Sequence, residues 1–117
     1  MTLLESTLEH LRVLVSHDTT NPPRAIDAKS AIFDYFASQL DGFAIERVDL
    51  GDGCVSFLAT RGTPDVLMNC HIDTVPVNEA WTGDPFTLVV DADSEHPRAT
   101  GLGACDIKGA AAAMLAA

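Results

Sequence analysis

The sequence is most informative at Leu67-Met68-Asn69-Cys70-His71-Ile72-Asp73-Thr74-Val75-Pro76. The apolar run at 66–70 predicts a strand covered on both faces, because such strands are apolar without polar alternation. His71 follows this run directly, and the carboxylate of Asp73 comes two residues later. Ligands of helix-covered sheets collect beyond the carboxyl ends of the strands. We therefore expect His71 and Asp73 to lie at a ligand-binding edge.

Around this stretch, apolar residues recur first at helical spacing and then in short extended runs. The predicted elements are helices over residues 3–17 and 25–40, strands over 43–48, 55–59, 66–70 and 86–90, and a helix that begins at Asp106. Turn-rich segments separate them, and the first is Asp18-Thr19-Thr20-Asn21-Pro22-Pro23. This order predicts an α/β fold with a helix-covered mixed sheet.

Composition excludes several classes of protein. The chain has 117 residues, 47% of them hydrophobic, which is typical of one globular domain and not of a disordered segment. A net charge of −10 disfavours binding to nucleic acid. No apolar run is long enough to span a membrane, and no signal peptide is visible. Three cysteines without an export signal predict free thiols and a cytoplasmic location.

His71 and Asp73 form an H-x-D pattern that has two interpretations. Histidine is a common ligand of zinc-like metals, and a carboxylate often holds its second ring nitrogen. Residues i and i+2 of an extended chain point to the same side, so Asp73 could support His71 in this way. Alternatively, His71 caps a strand and Asp73 forms a turn with Thr74. For an isolated H-x-D pattern, the structural interpretation is favoured.

Asp106 lies in a glycine-rich loop, Gly101-Leu102-Gly103-Ala104-Cys105-Asp106-Ile107-Lys108-Gly109. An aspartate before a helix often accepts hydrogen bonds from the first N–H groups of that helix. It could equally give both oxygens to two metal ions about 3.5–4 Å apart, as in co-catalytic hydrolases. Neither motif alone distinguishes a structural role from a metal-binding one.

Three motifs in this order resemble the M20 metallopeptidase and deacylase family. They are His71-Ile72-Asp73-Thr74-Val75-Pro76, Trp81-Thr82-Gly83-Asp84-Pro85-Phe86 and the glycine-rich loop around Asp106. The turn at 18–23 is also similar to the opening turn of the family. The resemblance covers essentially all of residues 1–117, as the N-terminal portion of a zinc-peptidase-like catalytic domain.

The resemblance implies a site with two divalent metal ions, zinc or alternatively cobalt. His71 would be a ligand of one ion, Asp106 would bridge both, and Asp73 would be the active-site carboxylate behind His71. Family members hydrolyse amide bonds of N-acyl amino acids or peptides. Three further features of the family come later in the sequence. They are a glutamate pair that includes the general base, a C-terminal histidine and a dimerisation domain. The full-length parent is accordingly expected to be a homodimer, and this chain alone to be inactive.

Leu102 separates the two glycines where the family often has arginine. The sequence G-L-G followed by C-D-I-K-G is similar to that of the acetylcitrulline deacetylase branch of the acetylornithine deacetylases. These enzymes act in arginine biosynthesis. A succinyl-diaminopimelate desuccinylase or a dipeptidase is the alternative within the family. A non-catalytic binding or assembly module is the alternative from another class. The alanine-rich helical pattern before Ala117 has no stop signal, which predicts that the chain continues in a longer protein.

Overall fold

The computed structural model describes all 117 residues. In chain order the elements are helices α1 (Leu3–Ser16) and α2 (Ala31–Gln39), strands β1 (Ala44–Asp49), β2 (Val55–Thr60), β3 (Val89–Asp91) and β4 (Arg98–Thr100), a π-helical turn (Ala104–Lys108) and helix α3 (Gly109–Ala116). Helices and strands are thus combined in one small unit, and the predicted α/β class is confirmed.

Helix α1 begins with a reciprocal cap between Thr2 and Glu5. The Thr2 hydroxyl accepts a hydrogen bond of 3.2 Å from the Glu5 N–H, and the Glu5 carboxylate accepts one of 2.6 Å from the Thr2 N–H. This arrangement satisfies donors that the first helical turn leaves unpaired. The apolar face of α1 buries Leu11, Leu14 and Val15. The helix predicted over 3–17 is therefore confirmed.

Helix α2 begins at Ala31 rather than at residue 25. Asp27 and Ser30 explain the late start, because their side chains bond to nearby backbone and compete with the helix. The Asp27 N–H donates to the Ser30 hydroxyl at 2.9 Å, and the Lys29 N–H donates to the Asp27 carboxylate at 2.8 Å. The helix then buries Ile32, Phe33 and Phe36 against the core.

The strands form two antiparallel pairs, not one mixed sheet. Strand β1 pairs with β2, with Ala44 opposite Thr60 and Asp49 opposite Val55. Strand β3 pairs with β4. The only parallel pairing is an isolated bridge between Thr20 and Thr74. The mixed-sheet prediction is thus corrected, because both strand pairs are local hairpins and no crossover connects them.

The predicted strand at 66–70 is wrong for this chain. These residues form no strand, and Val66, Leu67 and Met68 are 78%, 80% and 62% exposed. A strand requires a hydrogen-bonded neighbour, and none lies beside this segment. The segment that was predicted to be covered on both faces is therefore largely exposed in this structure.

The strand predicted at 86–90 is shorter than expected. Asp84 holds the preceding residues in a turn, since its carboxylate accepts hydrogen bonds from the Phe86 N–H at 2.9 Å and the Thr87 hydroxyl at 2.7 Å. Strand β3 therefore begins only at Val89, and its partner β4 was not predicted. The helix expected from Asp106 begins at Gly109, because Asp106 has non-helical dihedral angles of −125° and 87°.

The core lies between α1, α2 and α3. Leu14, Val15 and Ala112 are completely buried in it, and small alanine side chains allow α3 to approach α1 closely. Phe33 of α2 stacks on Phe57 of β2 with ring centroids 5.9 Å apart. None of the helices combines the length and apolar character needed to cross a bilayer.

Candidate metal centre

The segment that carries His71 and Asp73 is fastened to the turn after α1. Three hydrogen bonds that involve the backbone connect residues 19–21 with residues 72–74. The Thr19 hydroxyl donates to the Ile72 carbonyl at 2.6 Å, the Thr74 N–H donates to the Thr19 carbonyl at 3.0 Å, and the Asn21 N–H donates to the Thr74 carbonyl at 2.8 Å. Thr19 and Thr74 are both buried. These bonds lie on both sides of Asp73 and fix its backbone.

The loop that carries Asp106 is fastened to the same region. Gly103 adopts a φ of 75°, and a Cβ atom there would collide with the Thr74 side chain. The backbone can therefore approach Thr74 only because residue 103 is glycine. Lys108 is 1% exposed, and its ammonium donates a hydrogen bond of 2.8 Å to the backbone carbonyl of His17. The two motifs thus meet across the end of α1.

The structure brings all three predicted site residues together. His71 Nε2 lies 3.1 Å from Asp106 Oδ1. On the other side of the ring, His71 Nδ1 lies 3.3 Å from Asp73 Oδ1 and 3.1 Å from the Asp73 carbonyl oxygen. The side chains of His71, Asp73 and Asp106 are 52%, 47% and 81% exposed. His71 and Asp106 therefore lie within hydrogen-bonding distance of each other, and the site opens to solvent.

Asp106 does not cap the following helix. Helix α3 has no side-chain cap, and its N-cap position is Lys108. The Asp106 carboxylate instead faces the imidazole of His71. The structural alternative for Asp106 therefore lacks the hydrogen bond that would define it.

Both ring nitrogens of His71 face carboxylate oxygens. An ionised carboxylate accepts hydrogen bonds and donates none. A neutral imidazole has a single N–H, so it can satisfy one side only. A proton on Nδ1 would be held by Asp73, which leaves the Nε2 lone pair directed towards Asp106. A cation between Nε2 and Oδ1 stabilises that arrangement, whether it is a proton or a metal ion. Two ligand atoms about 2.0–2.1 Å from one tetrahedral zinc ion are separated by roughly 3.3 Å, close to the 3.1 Å between Nε2 and Oδ1.

The residues present fit a metal ion as two of its ligands. Catalytic zinc takes three protein ligands and keeps one position open. The chain has no group of three or more His, Cys, Asp or Glu side chains placed to hold a metal ion. Asp73 does not supply the third ligand, because its carboxylate lies on the Nδ1 side of the imidazole.

A cavity of about 430 Å³ adjoins His71 and Asp73 but does not reach Asp106. His71 and Asp73 line it together with Arg24 and Phe33, whereas Asp106 does not. The pair of candidate ligands therefore converges outside this cavity. Cys70 also lines the cavity, and burial raises the pKa of its thiol, so it favours the neutral form.

Sequence reasoning missed the residues that support the site. Asn21 donates a hydrogen bond of 3.1 Å from its side-chain amide to Asp73 Oδ2. Lys108 was seen only as part of a motif, and its pKa is lowered to about 8 because burial disfavours its charged form. The sequence analysis noted the turn at 18–23, which contains Asn21. It could not assign Asp73 as the partner of Asn21, because the two residues are 52 positions apart in the sequence.

Known proteins are similar in sequence to the part of the chain that carries the site motifs. Residues 67–117, which carry both motifs, match the family described as Peptidase family M20/M25/M40. Together with the likeness below, this match shows that the chain is similar to the N-terminal part of members of that family, as the three motifs predicted.

The relatives include N-acetyl-L-citrulline deacetylase of Xanthomonas campestris pv. campestris, which is 57% identical over 115 residues. This alignment covers 98% of the chain and 30% of that relative. Succinyl-diaminopimelate desuccinylase of Novosphingobium aromaticivorans is 36% identical, over 90% of the chain and 30% of the relative. The desuccinylase of Pseudomonas syringae pv. syringae is 41% identical, over 65% of the chain and 20% of the relative. The chain thus spans less than a third of the length of these curated relatives.

Proposed function

We propose that the complete protein carrying this chain is a metal-dependent amidohydrolase that removes the acyl group from an N-acyl amino acid. The observation that carries the proposal is the position of His71. One ring nitrogen is held by Asp73, and the other lies 3.1 Å from a carboxylate oxygen of Asp106. This is the arrangement of a supported imidazole ligand beside a second ligand.

Three residues of this chain have distinct roles in the proposal. His71 would hold one metal ion through Nε2, and Asp106 would be a ligand of both ions. Asp73 would orient the imidazole by accepting a hydrogen bond from Nδ1–H, since its carbonyl oxygen lies 3.1 Å and its carboxylate oxygen 3.3 Å from that nitrogen. When bound, the two divalent ions, zinc or alternatively cobalt, would supply the positive charge that polarises the amide carbonyl and acidifies water. The remaining ligands and the general base would come from the part of the complete protein outside this chain.

Acetylcitrulline or acetylornithine is the proposed substrate, in arginine biosynthesis. The 57% identity with a named acetylcitrulline deacetylase supports the first of these. Leu102 in the glycine-rich loop agrees with that branch. Desuccinylation of succinyl-diaminopimelate is the second candidate, favoured by the desuccinylases among the relatives.

A test of the proposal compares substrates on the complete protein. The protein is loaded with zinc or cobalt, and release of free amino acid is measured with acetylcitrulline, acetylornithine and succinyl-diaminopimelate. We expect the highest kcat/KM with acetylcitrulline. Preference for the succinylated substrate would select the desuccinylase alternative. Metal binding without turnover of any substrate, including dipeptides, would favour a non-catalytic binding or assembly module.

Two further properties belong to the same proposal. The complete protein is expected to be a homodimer, and a mass measurement in solution tests this directly. A cytoplasmic location is supported by the three cysteines Cys54, Cys70 and Cys105, which are all free. Fractionation of cells that produce the complete protein tests the location.

A further inference from the structure

The function proposed above gives no role to the motif at 81–86, although that motif builds a turn of defined shape. The Thr87 N–H donates a hydrogen bond of 3.3 Å to the Asp84 carbonyl, so residues 84–87 form a β-turn. Asp84 and Pro85 stand at its first two positions. These are the residue types that such turns favour there, because proline fixes its own φ and the aspartate side chain bonds to the turn.

Both carboxylate oxygens of Asp84 are used inside this turn. Oδ1 accepts a hydrogen bond of 2.9 Å from the Phe86 N–H, and Oδ2 accepts one of 2.7 Å from the Thr87 hydroxyl. The bonds from Thr87 and from Phe86 lower the pKa of the Asp84 carboxyl, so the group is ionised near neutral pH. Asp84 thus fixes the direction in which the turn presents its backbone carbonyls.

One of these carbonyls holds the glycine-rich loop that carries Asp106. The Leu102 N–H donates a hydrogen bond of 2.8 Å to the carbonyl oxygen of Pro85. Leu102 is 5% exposed, so its N–H needs a partner within the protein. Outside the helices and strands, this is the only backbone hydrogen bond between residues 101–108 and another segment. The loop is otherwise held by side-chain contacts, at Thr74 and through Lys108.

The path from Leu102 to Asp106 is short and internally bonded. Two backbone hydrogen bonds connect positions within the loop. They run from the Ala104 N–H to the Gly101 carbonyl at 3.0 Å and from the Lys108 N–H to the Gly103 carbonyl at 2.9 Å. A displacement at Leu102 is therefore carried to Asp106, whose Oδ1 lies 3.1 Å from His71 Nε2. A misplacement of about 1 Å that originates far from the chemistry can cost about 100-fold in rate.

We propose that Asp84 is a positioning residue that acts through the Pro85 carbonyl on the loop carrying Asp106. The consequence for metal binding and hydrolysis rests on the proposed function, whereas the effect on Leu102 does not. The role requires hydrogen bonds to the turn and not a charge. Asparagine can therefore replace Asp84, because its amide oxygen accepts from the Phe86 N–H and its amino group donates to the Thr87 hydroxyl oxygen.

Hydrogen exchange of the Leu102 N–H in the 117-residue chain is the direct readout. Asp27→Ala is the matched control for Asp84→Ala. The Asp27 carboxylate accepts from the Lys29 N–H at 2.8 Å and from the Ser30 hydroxyl at 3.4 Å, two and three positions along the chain as at Asp84, but away from the glycine-rich loop.

We expect Leu102 to exchange at least about 10-fold faster in Asp84→Ala, because its acceptor is no longer held. Asp84→Asn and Asp27→Ala should leave the rate within about twofold of wild type. An unchanged Leu102 rate in Asp84→Ala would overturn the proposal. Thr87→Val removes only the bond to Oδ2 and is used if Asp84→Ala fails to fold. It should accelerate Leu102 exchange to a smaller extent, and an unchanged rate would again overturn the proposal.

Kinetics on the complete protein test whether the displacement reaches Asp106. We expect Asp84→Ala to lower kcat per folded molecule by about 10–100-fold and to weaken zinc binding, with KM within about twofold of wild type. Asp84→Asn should restore both properties, which a loss of stability alone would not explain. Unchanged kcat and zinc affinity in Asp84→Ala, or no rescue by Asp84→Asn, would overturn the positioning role. If the wild type neither binds zinc nor turns over substrate, the proposed function fails, and the exchange of Leu102 still decides whether Asp84 holds the loop.

Discussion

The ammonium of Lys108 donates a hydrogen bond of 2.8 Å to the backbone carbonyl oxygen of His17, the residue that caps the C-terminus of α1. A cation at this position interacts favourably with the helix dipole and with an otherwise unpaired carbonyl. The contact connects the Asp106 loop to the turn that holds Asp73. This buried side chain and the close approach of Gly103 to Thr74 together fix the relative position of the two motifs.

Burial of Lys108 predicts an unusual dependence of stability on pH. Its pKa is lowered from 10.5 to about 8, so between these values the unfolded chain binds a proton that the folded chain does not. Stability from this group therefore rises with pH across that window, by at most about 1.4 kcal/mol per pH unit. Denaturant unfolding gives the free energies of unfolding of wild type and Lys108→Met at pH 7.5 and at pH 10. The difference between the two proteins should be more favourable to wild type at pH 10. An equal difference at both pH values would contradict the prediction.

Gly103→Ala should destabilise the chain more than Gly62→Ala. Both glycines have positive φ, 75° and 61°, so alanine costs roughly 1–2 kcal/mol of backbone strain at either position. Only at Gly103 does the new Cβ also collide, with the Thr74 side chain, whereas nothing lies within 4 Å at Gly62. Free energies of unfolding for the two variants test this. Equal losses would show that Gly103 is not at a close contact.

The roles of Asp73 and Asp106 can be separated in the complete protein. Asp73→Ala should lower turnover by at least about 10–100-fold while most of the zinc remains bound, because Asp73 supports a ligand. Asp106→Ala should remove metal, because its carboxylate is proposed to bridge both ions. Bound zinc and kcat are measured for each variant, with exposed Asp41→Ala as control. Loss of zinc from Asp73→Ala but not from Asp106→Ala would reverse these assignments.

The 117-residue chain by itself should have no deacylase activity. It provides two candidate ligands where catalytic zinc takes three protein ligands, and no third side chain is placed beside them. The purified chain is assayed with zinc or cobalt and with acetylcitrulline or acetylornithine. Turnover above that of a sample containing only metal would contradict the prediction.

Local patterns were sufficient for the elements whose stability is local. Helix α1 could be predicted because its apolar spacing, its cap and its end lie within one stretch of sequence. The strands at 43–48 and 55–59 were predicted for the same reason, and in the structure they pair as the hairpin of β1 and β2. His71, Asp73 and Asp106 were recognised as site candidates from residue type and spacing within motifs. Their roles at a metal ion stay predictions.

Tertiary structure decided the features that depend on partners distant in sequence. The apolar segment at 66–70 forms no strand, because a strand is defined by a hydrogen-bonded neighbour and not by its own side chains. Lys108 is buried because its partner is the carbonyl of His17, 91 positions away, and Asn21 reaches Asp73 only after the turn packs against residues 72–74. Sequence determined which chemical groups the site contains, since residue type sets charge and hydrogen-bonding capacity. Packing decided which of these groups lie within hydrogen-bonding distance.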